Sequence, residues 1–185
     1  MKKRGTQLIE TDRLILRPLR LEDAQDMYDN WASSQEATRY VTWEAYGDLA
    51  PLIERLKLRQ EHYLNKELYD WGIFVKDQEV LIGTITFVDL SDLHRLGELG
   101  YIIGPKWWGK GYVLEAARAI CRFGFQELEL HRIQAVHDVR NPASGRVMEK
   151  LGMHYEGTFR DCRLVKGEYV TLKQYAFLAD EFRDE

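Results

Sequence analysis

Between positions 101 and 112 the chain reads Tyr-Ile-Ile-Gly-Pro-Lys-Trp-Trp-Gly-Lys-Gly-Tyr, with glycines at 104, 109 and 111 and lysines at 106 and 110. Closely spaced glycines adopt backbone conformations closed to other residues and let a ligand approach the main chain. An apolar strand enters this loop, and an amphipathic helix leaves it at about Val113. At such a junction the unpaired N–H groups of the first helical turn and the helix dipole form a site for phosphate oxygens. Lys106 and Lys110 add positive charge there. A Gly-Lys-Gly loop also serves as a plain strand-to-helix connection, so spacing alone leaves both readings open. Just upstream, Glu98 is the only charged residue in the apolar run 96–103. A carboxylate on a mostly apolar strand beside a cleft is the kind of group that accepts protons in catalysis. A salt-bridged or exposed strand residue is the plainer alternative.

Strand 96–103, a helix over 113–128 and a strand over 132–139 must hold these residues together. Leu114, Ala117, Cys121, Phe125 and Leu128 share one side of that helix. Strand, helix and strand in this order demand a parallel pair joined by a right-handed crossover. Ligands of open α/β sheets bind outside the carboxyl ends of such strands, where the glycine loop lies. Upstream, 14–18 reads as a strand ended by proline, and Ala24, Met27, Tyr28 and Trp31 mark one helix face. A second helix starts near Asp48 and turns Leu49, Leu52, Ile53, Leu56, Tyr63 and Leu64 inward. The aromatic loop 39–43 between these helices is either a surface loop anchored by Tyr40 and Trp43 or a wall of a site. Segments 71–76 and 80–90 form a hairpin across Asp77-Gln78-Glu79. Asn141-Pro142 breaks the chain before a short helix over 143–151 closed by Gly152. Segments 155–165 and 168–178 alternate as a long hairpin around Lys166-Gly167. The expected architecture is α/β (α+β): one domain over residues 1–185, with a mixed, mostly antiparallel sheet, one parallel pair and flanking helices.

The net charge of −4 argues against sequence-independent binding to nucleic acid and is compatible with a cationic, amine-bearing partner. The basic start Met-Lys-Lys-Arg-Gly is not followed by the apolar run of a signal peptide, and no stretch approaches a membrane span. Two cysteines far apart, Cys121 and Cys162, point to a reduced, cytoplasmic protein. His62, His94, His131, His137 and His154 show no zinc-ligand spacing, so no metal is expected. His137 reads as a hydrogen-bonded core residue on its strand.

The chain resembles the GNAT superfamily of acyl-CoA-dependent N-acyltransferases, in particular its ribosomal-protein N-terminal acetyltransferase branch, the RimJ/RimL type. The resemblance rests on Thr11-Asp-Arg-Leu-Ile-Leu-Arg-Pro18, Gly97-Glu-Leu-Gly-Tyr101, Trp108-Gly-Lys-Gly-Tyr112 with Glu115-Ala116, Asn141-Pro-Ala-Ser144, and Glu149-Lys-Leu-Gly-Met153 with Glu156-Gly157. In order and spacing these segments span nearly the whole sequence. One departure is Lys106, where the family's loop opens with Gln or Arg.

The resemblance implies acetyl-CoA as co-substrate, lying where strands 96–103 and 132–139 splay apart. Its pyrophosphate would sit on the N–H groups from Trp108 through Gly109, Lys110, Gly111 and Tyr112 to Val113. Its pantetheine would pair with the main chain of Tyr101, Ile102, Ile103 and Gly104, and an N–H near Ile102 would polarise the thioester. Glu98 is the implied base. Ser144 is the implied acid for the CoA sulfur, or else a helix cap. Asn141 would bond the pantetheine or a water, or serve as a turn residue. Trp31, Tyr40, Trp43 and Tyr46 fall where the acceptor site forms. The acceptor would be a protein N-terminal amine or a small amine such as a polyamine, an aminoacyl conjugate or an antibiotic. A non-catalytic acyl-CoA sensor is the reading from a different class. A homodimer through the C-terminal hairpin is compatible with these residues.

Overall fold

A computed structural model describes residues 3–183, so Met1 and Lys2 of the basic start lie outside it. The first half runs β1 (Ile9–Glu10), β2 (Leu14–Arg17), α1 (Ala24–Met27), α2 (Gln35–Thr38), α3 (Ala50–Leu64), β3 (Asp70–Val75) and β4 (Val80–Ser91). The second runs β5 (Leu96–Ile103), α4 (Tyr112–Gln126), β6 (Arg132–Asp138), α5 (Pro142–Lys150), β7 (His154–Val165) and β8 (Glu168–Leu178). The strands form one sheet in the order β1-β2-β3-β4-β5-β6-β8-β7. All neighbours are antiparallel except β5 and β6.

That parallel pair shapes the molecule. Leu96, Gly97 and Glu98 pair with Arg132, Ile133 and Gln134, after which β5 continues to Ile103 and β6 to Asp138 without a shared register. The crossover between them is α4, which buries Val113, Ala116, Ala117, Ile120, Cys121 and Gly124 at helical spacing. Gly124 lets the helix approach the sheet, because a Cβ there would lie 2.9 Å from the Phe87 ring. Trp71 is fully buried beneath α4 and meets Phe123 edge-on, with ring centroids 5.5 Å apart. A smaller cluster on the opposite face joins Leu19, Met27, Trp31, Leu52 and Leu56 to Phe74 and Leu81.

Several local expectations need amendment. The two-residue strand β1 was not foreseen, since it shows no alternation of its own. The helix carrying Ala24 to Trp31 widens into a π turn over Tyr28–Ala32, and α2 follows it. Asp48 does hold the start of α3, accepting from the Ala50 N–H at 2.9 Å. Leu64 is 83% exposed. It lies eight residues beyond Leu56, roughly 80° round the helix, so Tyr63 takes the inward position instead. Lys166 and Gly167 take φ of 51° and 82° and close the β7–β8 hairpin.

Strand β4 meets β5, one of the two strands that part, without a side chain at Gly83, where a Cβ would stand 2.3 Å from the Ile102 carbonyl oxygen and 2.8 Å from Ile103 Cα. Gly83→Ala should therefore destabilise the fold by about 3 kcal/mol through overpacking. Urea unfolding at an unchanged midpoint would refute this account of the contact.

Candidate active site

Beyond Gln134 the two strands bound a continuous cleft of about 1360 Å³. One part follows the glycine loop. After β5 a 3₁₀ turn spans Pro105–Trp107, and the Trp108 indole N–H donates to the Ile103 carbonyl at 2.9 Å. Gly109 and Gly111 take φ of 73° and 80°, the left-handed region that favours glycine. The first helical bond of α4 runs from the Glu115 N–H to the Gly111 carbonyl, leaving the N–H groups of the turn before it without helical partners. Trp108, Gly109, Gly111, Tyr112 and Val113 line the cleft.

Gly104, Lys106 and Lys110 are not among the residues that line the cleft. Gly104 is buried, and a Cβ on it would lie 2.3 Å from the Asn30 carbonyl of the π turn, so its glycine serves packing. Lys106 and Lys110 are exposed and lie outside the cleft lining. Lys110 is engaged through its main chain, whose carbonyl accepts from Arg13 Nη1 at 3.0 Å.

Arg13 belongs to a clamp that sequence reading missed. Its Nε donates to Glu115 Oε2 at 2.6 Å, its main-chain N–H to Oε1 at 2.9 Å, and its guanidinium covers the Tyr112 ring at 4.6 Å. The Thr11 hydroxyl adds a bond to Glu115 Oε1 at 2.6 Å. Partial burial pushes the Glu115 carboxyl up. The hydrogen bonds from Thr11 and Arg13, with the guanidinium charge, outweigh this and hold it below its ordinary value. Only the opening Thr-Asp-Arg triplet hinted at these contacts, which join residues about a hundred positions apart.

The wedge-facing main chain also differs from expectation. The Gly104 N–H donates to the Ile82 carbonyl at 2.8 Å, and Thr84 pairs with Ile102. Main-chain groups of a ladder alternate sides along a strand. Ile102 therefore faces β4, and the groups facing the open side belong to Tyr101 and Ile103. The Ile102 side chain packs on the smaller core.

At the far wall Asn141 caps α5, its Oδ1 accepting from the Ser144 N–H at 3.3 Å. Ser144 is thus not the cap. Its hydroxyl is hydrogen-bonded to that of Tyr101 at 2.9 Å, and Tyr101 also lies 3.0 Å from the Ser144 carbonyl. Burial pushes the Tyr101 hydroxyl up to about 12, against the opposing hydrogen bond with Ser144, so it is a proton donor at neutral pH. His137 is buried beside α5, with Nδ1 on the Asp138 carbonyl at 2.8 Å and its ring 5.8 Å from that of Tyr175.

Glu98 is half-buried on the cleft wall, and Gln134 Nε2 donates to its Oε2 at 3.0 Å. Tyr40, Trp43 and Tyr46 are half-buried and line the same cleft, Trp43 and Tyr46 with centroids 5.7 Å apart. Trp31 is only 1% exposed and lines the same cleft from within the smaller core. Across from the aromatic loop, Lys166 Nζ donates to the Thr38 carbonyl at 2.8 Å and lies 3.6 Å from Glu44 Oε2. Among the described residues no group of three or more His, Cys, Asp or Glu side chains could hold a metal ion, and no helix is long and apolar enough to cross a membrane.

A parallel pair that parts over a glycine loop and a helix N-terminus defines an acyltransferase scaffold. A model of the acetyltransferase (GNAT) domain matches residues 13–154, and the chain belongs to this family and is an N-acetyltransferase. It is 37% identical over 153 residues to the uncharacterized N-acetyltransferase YoaA of Bacillus subtilis (strain 168), covering 83% of this chain and 86% of that one. It is 30% identical over 168 residues to the [ribosomal protein uS5]-alanine N-acetyltransferase of Escherichia coli (strain K12), covering 87% and 85%. A crystal structure of a GNAT-family acetyltransferase from Bacillus anthracis superposes with a TM-score of 0.84 at 28% identity, covering 95% of this chain and all of that one.

The Arg13–Glu115 clamp carries a pH signature. A carboxyl held below its ordinary value of 4.5 contributes stability above that pH and loses it as pH falls through the lower folded value. Glu115→Gln lacks the contribution at every pH. The gap in melting temperature between wild type and Glu115→Gln should be widest above pH 4.5 and close in acid. A gap independent of pH would show that the clamp acts by shape alone.

Proposed function

We propose that this chain transfers an acetyl group from acetyl-CoA to a primary amine by direct attack, and that the amine is a protein N-terminal α-amine. The observation carrying this reading is the parting of β5 and β6 immediately beyond Glu98 and Gln134. It gives one cleft a carboxylate, open main-chain groups, a hydroxyl pair and the glycine loop. The donor set suits the co-substrate: first-turn N–H groups for phosphate, and a strand edge for the amide-bearing arm. The family and the uS5-alanine enzyme matched along most of both chains support the acceptor.

In this reading Glu98 takes a proton from the acceptor ammonium, directly or through a water, leaving a neutral nitrogen. The N–H of Tyr101 or Ile103 stabilises the charge that develops on the thioester oxygen. As the C–N bond forms and the C–S bond breaks, Ser144 supplies a proton to the departing sulfur. Tyr101 stabilises the Ser144 oxygen through their shared hydrogen bond. The nitrogen's remaining excess proton passes through water to restore the Ser144 hydroxyl as the amide forms, and the proton held by Glu98 leaves to solvent.

Thiol release from acetyl-CoA against alanine-led peptides, polyamines and aminoacyl compounds tests the reading. Faster turnover of a peptide N-terminus is expected. Turnover of small amines alone would replace the acceptor. Tight acetyl-CoA binding with no turnover of any amine would make the protein a sensor. Ser144→Ala should lower kcat by about 10²-fold with acetyl-CoA affinity within about twofold of wild type. An unchanged kcat would remove Ser144 as the acid.

A further inference from the structure

Gln134 stands opposite Glu98 in the last register pair before the strands part. Ile133 and Ala135 turn into the main core, so by alternation Gln134 and Val136 emerge on the other face. Val136 and Glu98 line the cleft, whereas Gln134 sits behind them. The bond from Gln134 Nε2 to Oε2, at 3.0 Å, is the one hydrogen bond to the Glu98 carboxylate among the described residues. Oε1 is left for the cleft.

The orientation of the Gln134 amide is itself determined from behind. Arg132 Nη2 lies 3.5 Å from Gln134 Oε1. Turning the amide over would set N–H against N–H at the guanidinium and oxygen against oxygen at the carboxylate. Arg132 is held in turn by a forked pair with Glu156, Nη1 donating to Oε1 at 2.7 Å and Nη2 to Oε2. Gln174 Nε2 also donates to Glu156 Oε2, at 3.1 Å. These hydrogen bonds hold the Glu156 carboxyl below the usual range, so it stays a charged anchor. The row Gln174, Glu156, Arg132, Gln134, Glu98 thus crosses β8, β7, β6 and β5 and ends on the carboxylate. An unrestrained carboxylate turns freely about its broad terminal torsion. With one oxygen tied, the other keeps a fixed direction, and misplacing a proton acceptor by an ångström is costly to rate.

We propose that Gln134 is a positioning residue for acetyl transfer, tying one oxygen of Glu98 so that the other is aimed at the acceptor nitrogen or its relay water. This rests on the reading of Glu98 as the base. The test is a double-mutant cycle of Glu98→Gln and Gln134→Leu. It is read by thiol release from acetyl-CoA with an alanine-led peptide or spermidine, whichever is turned over, and by calorimetric titration of acetyl-CoA. Gln134→Leu should lower kcat about tenfold with acetyl-CoA affinity within about twofold, and should cost nothing further once Glu98 is Gln. Arg132→Met should reproduce a smaller loss of kcat that also vanishes in the Glu98→Gln background. A Gln134→Leu protein with full kcat would overturn the proposal. So would losses that multiply in the double variant, because Gln134 would then act through the fold. Full activity in Glu98→Gln alone would instead overturn the reading of Glu98 as the base, and this proposal with it.

Discussion

Every feature of the site depends on the point at which two parallel strands stop pairing. A strand pair satisfies its main-chain groups by its ladder, and parting it leaves a row of donors and acceptors on each side. Here the row on β5 belongs to Tyr101 and Ile103, and it opens where Glu98 and Gln134 still hold the strands together. The parting is set by packing. Glycines at 83 and 104 let the β4 backbone and the π turn close on β5, while α5 and its Asn141 cap occupy the far end of β6. The same geometry that opens the cleft brings the glycine loop to its mouth, because β5 runs directly into it.

The site divides its polar groups by face. On the α4 side lie the Tyr101 and Ser144 hydroxyls, joined to each other, with burial keeping that of Tyr101 protonated. On the opposite face lies a charged row anchored by Arg132 and Glu156. The carboxylate of Glu98 and the Tyr101–Ser144 pair thus reach one cleft from opposite faces of the sheet. The loop's backbone is fixed from outside, by a guanidinium that bonds Lys110 and Glu115 and lies over Tyr112.

What could be read from sequence was whatever a local period or punctuation encodes. The alternation of 168–178, the helical spacing of Ala117 and Cys121, and the turn at Lys166-Gly167 each led to the observed element. Strand, helix and strand order gave the parallel pair. That Glu98 and Ser144 face one cleft followed once the segments around them were taken together. What escaped depends on contacts between distant residues. Nothing near Arg13 announces Glu115, and nothing near Gln134 announces that its neighbour is Glu98. Nothing near Gly104 announces that the Asn30 carbonyl stands where its side chain would be. The facing of Ile102 follows from one bond, Gly104 to Ile82, that no composition records.

Two facing walls of the cleft come from opposite ends of the chain, the aromatic loop after α2 and the hairpin β7–β8. A polar link between them is Lys166, which bonds the main-chain carbonyl of Thr38 and approaches Glu44. A carbonyl is supplied by any amino acid, so the link places little demand on the side chains of the loop it holds. The rest of the cleft wall, by contrast, is drawn largely from one contiguous segment, β4 to α5, and needs particular glycines at particular places. Sequence drift can therefore remodel one half of this cleft while the other stays constant, and the recognition of new amines becomes a matter of loop substitution on an unaltered frame.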